Sequence, residues 1–175
     1  MGIYSIAAKI SSIVGLGITA LNAIAAPKFA EYWIKGDKKG LLKLARQSTA
    51  ILFWTTLPIL FFIFIFTNHI LGFFGNEFKK GVFALIILIV GQFINVISGS
   101  TGYILDMTGF QDFAQWIIII SFALNVILNI LLIPKYGING AAIASALTII
   151  FWNIIMSFKI KKILDGWIFY VPIKF

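Results

Sequence analysis

Residues 91–109 read GQFINVISGSTGYILDMTG. At helical spacing Gln92, Asn95, Gly99, Gly102, Asp106 and Gly109 recur at steps of three and four, which predicts that they share one face. The remainder of the segment is largely Phe, Ile, Val and Leu, and residues 81–90 before it are almost wholly apolar. A stripe of amides and glycines has no use on a helix surrounded by lipid. It is useful against other helices, where glycines permit close approach and amides hydrogen-bond across the interface, or against a water-filled cavity. The residues leave both readings open.

The composition sets the environment. Of 175 residues 61% are hydrophobic and only 11% charged, whereas soluble domains carry about a quarter charged residues. Mean hydropathy is +1.02. The chain is therefore read as an integral membrane protein whose first partner is the lipid bilayer. A net charge of +8 would suggest nucleic acid for a soluble chain. Here the basic residues stand between apolar runs, so the positive-inside rule accounts for them and no nucleic-acid partner is expected. With no cysteine and a single histidine, His69, the chain offers no thiolate site, no metal-ligand cluster and no nucleophile with its base. No enzyme, metal or cofactor is expected.

Outward from the opening stretch, the fold is predicted as one all-α domain over 1–175. It is a bundle with spans at about 3–26, 41–66, 81–105, 114–133 and 138–160, each long enough for a hydrocarbon core of about 30 Å. In the first span Ser5, Lys9, Ser12, Thr19 and Asn22 fall in one sector, and Gly15, Thr19 and Ala23 would admit a close neighbour. Ala23-Ile24-Ala25 imitates a signal-peptide cleavage site, but Lys9 interrupts the apolar run and the positive cluster follows it. Residues 27–46 are basic, with Lys28, Lys35, Lys38, Lys39, Lys43 and Arg46. Phe29, Tyr32 and Trp33 suit the headgroup level, and Gly36 should end a short interfacial helix. An orientation signal and cytoplasmic rim is the favoured reading of these cations, ahead of a contact with anionic lipid or a substrate headgroup.

Pro58 is expected to kink the second span near Thr55 and Thr56 without ending it. Residues 67–78 read as a loop in which His69 has no assigned role. In the fourth span Ser121, Asn125 and Asn129 are four apart, and Trp116 suits an interfacial belt. Pro134 is expected to stop that helix before a tight turn. The fifth span opens on Asn139-Gly140-Ala141-Ala142 and continues through Ala144, Ser145 and Ala146, a small-residue packing face. Asp106, near a helix C-terminus, should have a cationic neighbour, with Lys43 and Arg46 as candidates.

The order of landmarks carries a resemblance. IYSIAAKI, LNAIAAPKFAEYWIKGD, FFGNEFKKG, the opening stretch and LNVILNILLIPKYGINGAAIASAL together cover nearly the whole chain. In that order they resemble the C-terminal half of Wzx-type polysaccharide flippases, in the MOP superfamily that also holds the MATE exporters. The resemblance implies two helix bundles rocking about a central cavity, of which this chain would supply one lobe. A missing N-terminal lobe is then expected as partner. The substrate implied is a lipid-linked oligosaccharide, a sugar–pyrophosphate–polyprenol used in cell-surface polysaccharide synthesis such as O-antigen or lipopolysaccharide. Lys9, Asn22, Gln92, Asn95, Asn125 and Asn129 have the residue types such a path needs: amides for sugar hydroxyls and a cation for pyrophosphate. Lys9 could instead snorkel outward. A cation-coupled exporter needs an intramembrane carboxylate, and no predicted span has one at its middle. A non-transporting assembly protein would suit the small-residue faces but leaves the polar stripes unused.

Alternating sides give ten basic residues (those of 27–46 and from Lys159 onward) against three, Lys79, Lys80 and Lys135. This predicts a cell-membrane protein with Met1 outside and Phe175 in the cytoplasm. Because the chain has no cysteine, single cysteines report cleanly. An impermeant thiol reagent on intact cells is expected to label Asn76→Cys and spare Lys38→Cys; the opposite pattern reverses the topology.

Overall fold

The computed structural model describes residues 2–170. Met1 and 171–175, including Lys174 and both chain ends used in the orientation argument, lie outside the described residues. The elements in order are α1 (Ile3–Ile34), α2 (Lys38–Gly72), a 3-10 turn (Asn76–Gly81) running into α3 (Val82–Ser98), α4 (Thr101–Met107), α5 (Gln111–Tyr136) and α6 (Ile138–Leu164). Among the described residues all regular structure is helical. Five stretches, Ile3–Ile34, Lys38–Gly72, Asn76–Ser98, Gln111–Tyr136 and Ile138–Leu164, are long and apolar enough to cross a membrane. This is a multi-pass membrane bundle.

Several expected boundaries move, each for an identifiable reason. The interfacial helix after Ala26 is the continuation of α1, which runs through Pro27 to Ile34. Proline there removes one backbone hydrogen bond, while Phe29 is fully buried against the next helices. Gly36, at φ +70, makes the turn, and Asp37 caps α2 by accepting from the Gly40 N–H at 2.8 Å. α2 passes Pro58 unbroken and continues to Gly72. Thr67 and His69 are therefore helical rather than in a loop, because Leu71, wholly buried, keeps the last turns packed. Near the proline the Thr55 hydroxyl donates to the Ile51 carbonyl at 2.7 Å, and Thr56 donates likewise to Leu52. Pro134 does not stop α5; Gly137 does, at φ +55, with its N–H on the Ile133 carbonyl at 2.8 Å.

The largest departure is in the opening stretch. The third span is not one helix. It breaks at Gly99, whose φ of +74 and ψ of −154 end α3, and restarts at Thr101. The six positions therefore do not form a continuous stripe: Gln92 and Asn95 lie on α3, Gly102 and Asp106 on α4, and Gly109 in the following turn at φ +82. Of the stripe's glycines, Gly99 is pressed against the Thr49 side chain, while Gly102 and Gly109 have open space where a side chain would go.

Packing explains where the break falls. α6 lies between α3 and α5 with extensive contact to both. A Cβ on Gly91 would come within 3.1 Å of the Ala146 backbone, and one on Gly140 would strike the Leu132 carbonyl, so both crossings depend on glycine. The small-residue face of α6 is thus used twice. By contrast, Gly15 has open space and Thr19 and Ala23 are exposed, so among the described residues no helix docks there.

Two apolar cores form. One joins Ile6, Val14, Leu60, Leu85 and Leu88; the other joins Phe29, Leu41, Ile104, Leu105, Ile160 and Leu164. Buried polar groups come from α1, α2, α3, α4 and α6 and from the α3–α4 junction: Asn22, Ser48, Thr49, Ser98, Ser100, Thr101 and Asn153. Gly99→Ala is expected to destabilise the bundle by about 1–3 kcal/mol, since an L-residue is strained there and meets Thr49. Gly102→Ala should be neutral. Thermal unfolding of the detergent-solubilised variants checks this, and equal midpoints would show the junction to be unconstrained.

Candidate functional site

The polar layer is built across the α3–α4 junction. Asn153 of α6 donates its amide to Asn95 Oδ1 at 3.0 Å and to the Ile149 carbonyl at 2.9 Å. Its own oxygen accepts from the Thr101 hydroxyl at 3.3 Å. Asn95 in turn donates to Gln92 Oε1 across a long 3.4 Å. One amide thus ties α6 to α3 and to the first turn of α4, the elements on either side of the break.

Asn22 enters the same space from α1 and behaves differently. Its side chain is 0% exposed, yet neither its oxygen nor its nitrogen has a protein partner. The Ser100 hydroxyl is buried and unpartnered as well. A buried amide left unpaired costs about 1–3 kcal/mol, which sets Asn22 apart from the paired Asn95 and Asn153. Asn22, Asn95, Ser100, Thr101 and Asn153 line a cavity of about 170 Å³ whose other walls include Ile18, Tyr103, Trp152 and Met156. A second space of about 370 Å³, lined by Ser121, Asn125, Ser145 and Thr148, adjoins it through Ile118 and Trp152. There Asn125 donates to Thr148 at 3.1 Å, and Asn129 donates to Asn125 Oδ1 at 2.9 Å. No charged side chain lines either space among the described residues.

The predicted path residues are thus placed in three groups. Asn22 and Asn95 share the first cavity, with Gln92 bonded to Asn95. Asn125 and Asn129 lie along the α5–α6 groove toward the Gly137 turn. Lys9 joins neither: it is exposed on the outer side of α1, in line with Ser12 and Thr19. Asn22 turns inward from that stripe. The rim residues Lys28, Lys35, Lys38, Lys39, Arg46 and Asp106 are all exposed. Asp106 does not have the expected cation beside it. The ion pair among the described residues is Lys35–Glu31, and Arg46 instead donates to the Trp167 carbonyl at 2.8 Å. Desolvation alone raises the Asp106 carboxyl pKa, with no cation acting against it.

Sequence reasoning missed Asn153, Ser100 and Thr101. Asn153 stands alone in an apolar run, and only its spacing from Ser145 and Thr148 hints at a face.

The MatE family profile matches residues 1–131. The chain belongs to the MatE family. This bears out the resemblance at superfamily level, and the match covers Asn22, Gln92, Asn95, Asn125 and Asn129. Over 152 residues the chain is 31% identical to the probable low-salt glycan biosynthesis flippase Agl15 of Haloferax volcanii, covering 85% of this chain and 32% of that protein. It is 28% identical over 150 residues to an uncharacterized membrane protein of Methanocaldococcus jannaschii, covering 83% of this chain and 29% of that one. The chain spans about a third of the length of these curated relatives. No solved structure matches it.

The two buried amides of this MatE chain should respond oppositely to one substitution. Asn22→Leu removes groups that have no partner and should leave the unfolding midpoint unchanged or higher. Asn153→Leu strands Asn95 and Thr101 and should cost roughly 1–3 kcal/mol. Thermal unfolding of both variants in one detergent tests this; equal losses would mean that Asn22 is also structurally paired.

Proposed function

We propose that this chain is one lobe of a flippase that carries a lipid-linked oligosaccharide across the cell membrane by alternating access, with a second lobe completing the transporter. The observation that carries the reading is Asn22: an unpaired, fully buried amide in a cavity whose polar groups are all neutral and whose apolar walls include Trp152. Amides and hydroxyls both donate and accept, as sugar hydroxyls do, and an indole face suits the apolar side of a pyranose ring. The name of the Haloferax relative points to the same class of cargo. In this reading Gln92 and Asn95 support the sugar site, and Asn125 and Asn129 continue the path along α5–α6. Lys9, Ser12 and Thr19 face the water-filled space between lobes, where an ammonium can meet pyrophosphate. Pro58 serves as the flexible point of α2. The basic rim from Lys28 to Arg46, with Asp106, lies in the cytoplasm.

A cation-coupled exporter is the weaker reading for this lobe. All six acidic residues, Glu31, Asp37, Glu77, Asp106, Asp112 and Asp165, lie at helix ends or turns. None is placed where it could hold a coupling ion within the bundle. Hydrolytic or transfer chemistry has no residue set in either cavity.

The test is made in the native host by replacing the chromosomal copy. Asn22→Leu is expected to reduce surface glycan and to accumulate its lipid-linked precursor on the cytoplasmic face. Lys9→Ala should weaken export more than Lys9→Arg, because charge rather than shape is used. Normal surface glycan with Asn22→Leu at wild-type protein level would overturn the sugar-path reading. Equal export by the two Lys9 variants would leave Lys9 a snorkelling residue.

A further inference from the structure

A separate feature lies at the end of the bundle where Phe29, Leu41, Ile160 and Leu164 form the second core. On its outer side α5 and α6 enclose a groove of about 310 Å³ lined by Phe113, Ile155, Phe158, Lys159 and Lys162. Its walls are apolar and its cations sit at one end. Lys159 is half-buried, with Nζ 4.8 Å from the Phe110 ring centre and 5.1 Å from that of Phe113. Two aromatic faces therefore fix this ammonium in place. Lys162, three residues on, shares the helix face. Neither lysine has a carboxylate at ion-pair distance among the described residues; Asp112, in the first turn of α5, pairs with neither.

We propose that this groove binds a membrane phospholipid with an anionic phosphate headgroup. The phosphate meets Lys159 and Lys162, and an acyl chain lies between the helices along Phe113, Ile155 and Phe158. The amphiphilic make-up of the groove argues for this occupant: two uncompensated cations beside the apolar side chains of Phe113, Ile155 and Phe158. A free phosphate would leave the slot unused, and an acidic peptide has no counterpart for it at membrane depth. The groove is also distinct from the general positive charge of this rim. Lys161, between the two in sequence, points elsewhere, with its Nζ 4.5 Å from the Trp167 ring centre.

That geometry supplies a matched control. The full chain, purified in detergent, is mixed with phosphatidylglycerol or phosphatidylcholine, and retained lipid is counted by native mass spectrometry. Phosphatidylglycerol should be retained selectively by the wild type, with retention falling about tenfold in K159Q/K162Q and changing less than about twofold in K161Q. K162Q alone, at an exposed position, should show part of the loss should the double variant fail to fold. Ile155→Trp, which fills the slot and keeps both lysines, should also release the lipid. Equal loss in K161Q, or full retention by Ile155→Trp, would overturn the proposal. Stronger retention of a polyprenyl phosphate than of phosphatidylglycerol would overturn the choice of occupant.

Discussion

A chain that leaves the helical conformation inside a membrane bundle must find partners for the backbone groups it frees, because lipid offers none. At the break the Gly99 N–H turns back to the Val96 carbonyl at 3.1 Å, and the Ser100 carbonyl accepts from the Ile104 N–H at 3.0 Å. Asn153 then bridges the two sides of the break through Asn95 and Thr101. The rest of the bundle follows from this arrangement. α6 must approach α3 closely for Asn153 to reach, which Gly91 against Ala146 permits, and α2 must bring Thr49 to the space beside Gly99. A small cavity with Asn22, Asn95, Ser100, Thr101 and Asn153 in its walls lies at this junction.

What was legible in the residues and what was not divides along a physical line. Long apolar runs announce spans because the transfer energy of some twenty side chains overwhelms local preferences, so the number and order of spans were readable. Breakers were misjudged in both directions. Pro27 and Pro134 each cost one hydrogen bond near a helix end, and packing of Phe29 or capping by Gly137 outweighs that. Gly99, within Ser98-Gly99-Ser100-Thr101-Gly102, does carry a breaker's signature, but small residues are also what close helix packing selects, so local propensity does not decide between the two. The loop expected around His69 failed for the same reason, since Leu71 finds a buried place. The amide positions were visible as polar interruptions of apolar runs. Their division between a relay, an unpaired group and a second groove was not, because periodicity places residues on a face without saying what that face meets.

The helices are unequally engaged. α6 is covered on two sides, whereas α5 buries only Ala114, Ile117 and Ser121 and leaves Ile119, Phe122, Val126 and Ile130 exposed. Such a helix is held mainly through one crossing, whose closeness at the Gly140–Leu132 end sets the hairpin. Two grooves open along this same helix pair, one with amide and hydroxyl groups beside Asn125 and one with lysines beside Phe113. A pair joined by a tight turn at Gly137 thus carries grooves at its side without breaking the bundle.

In the proposed flippase the absence of charge from the inner cavity bears on selectivity. A carboxylate in that chamber would hold cations and would need a counter-charge when empty, at a cost of several kcal/mol after relaxation. Neutral amides and hydroxyls bind more weakly one by one, and each serves as donor or acceptor as the ligand turns. That combination suits a cargo with many hydroxyls that must be released as readily as it is bound. Charge is confined to surfaces where water or headgroups can meet it: Lys9 on the outer face of α1, and the cations of the rim. Asn22 lies where the two regimes meet, on the helix whose exposed side carries Lys9, Ser12 and Thr19 but with its amide turned into the neutral chamber. In the proposed mechanism α1 is therefore the element that presents a charged headgroup path on one side and a sugar-binding wall on the other.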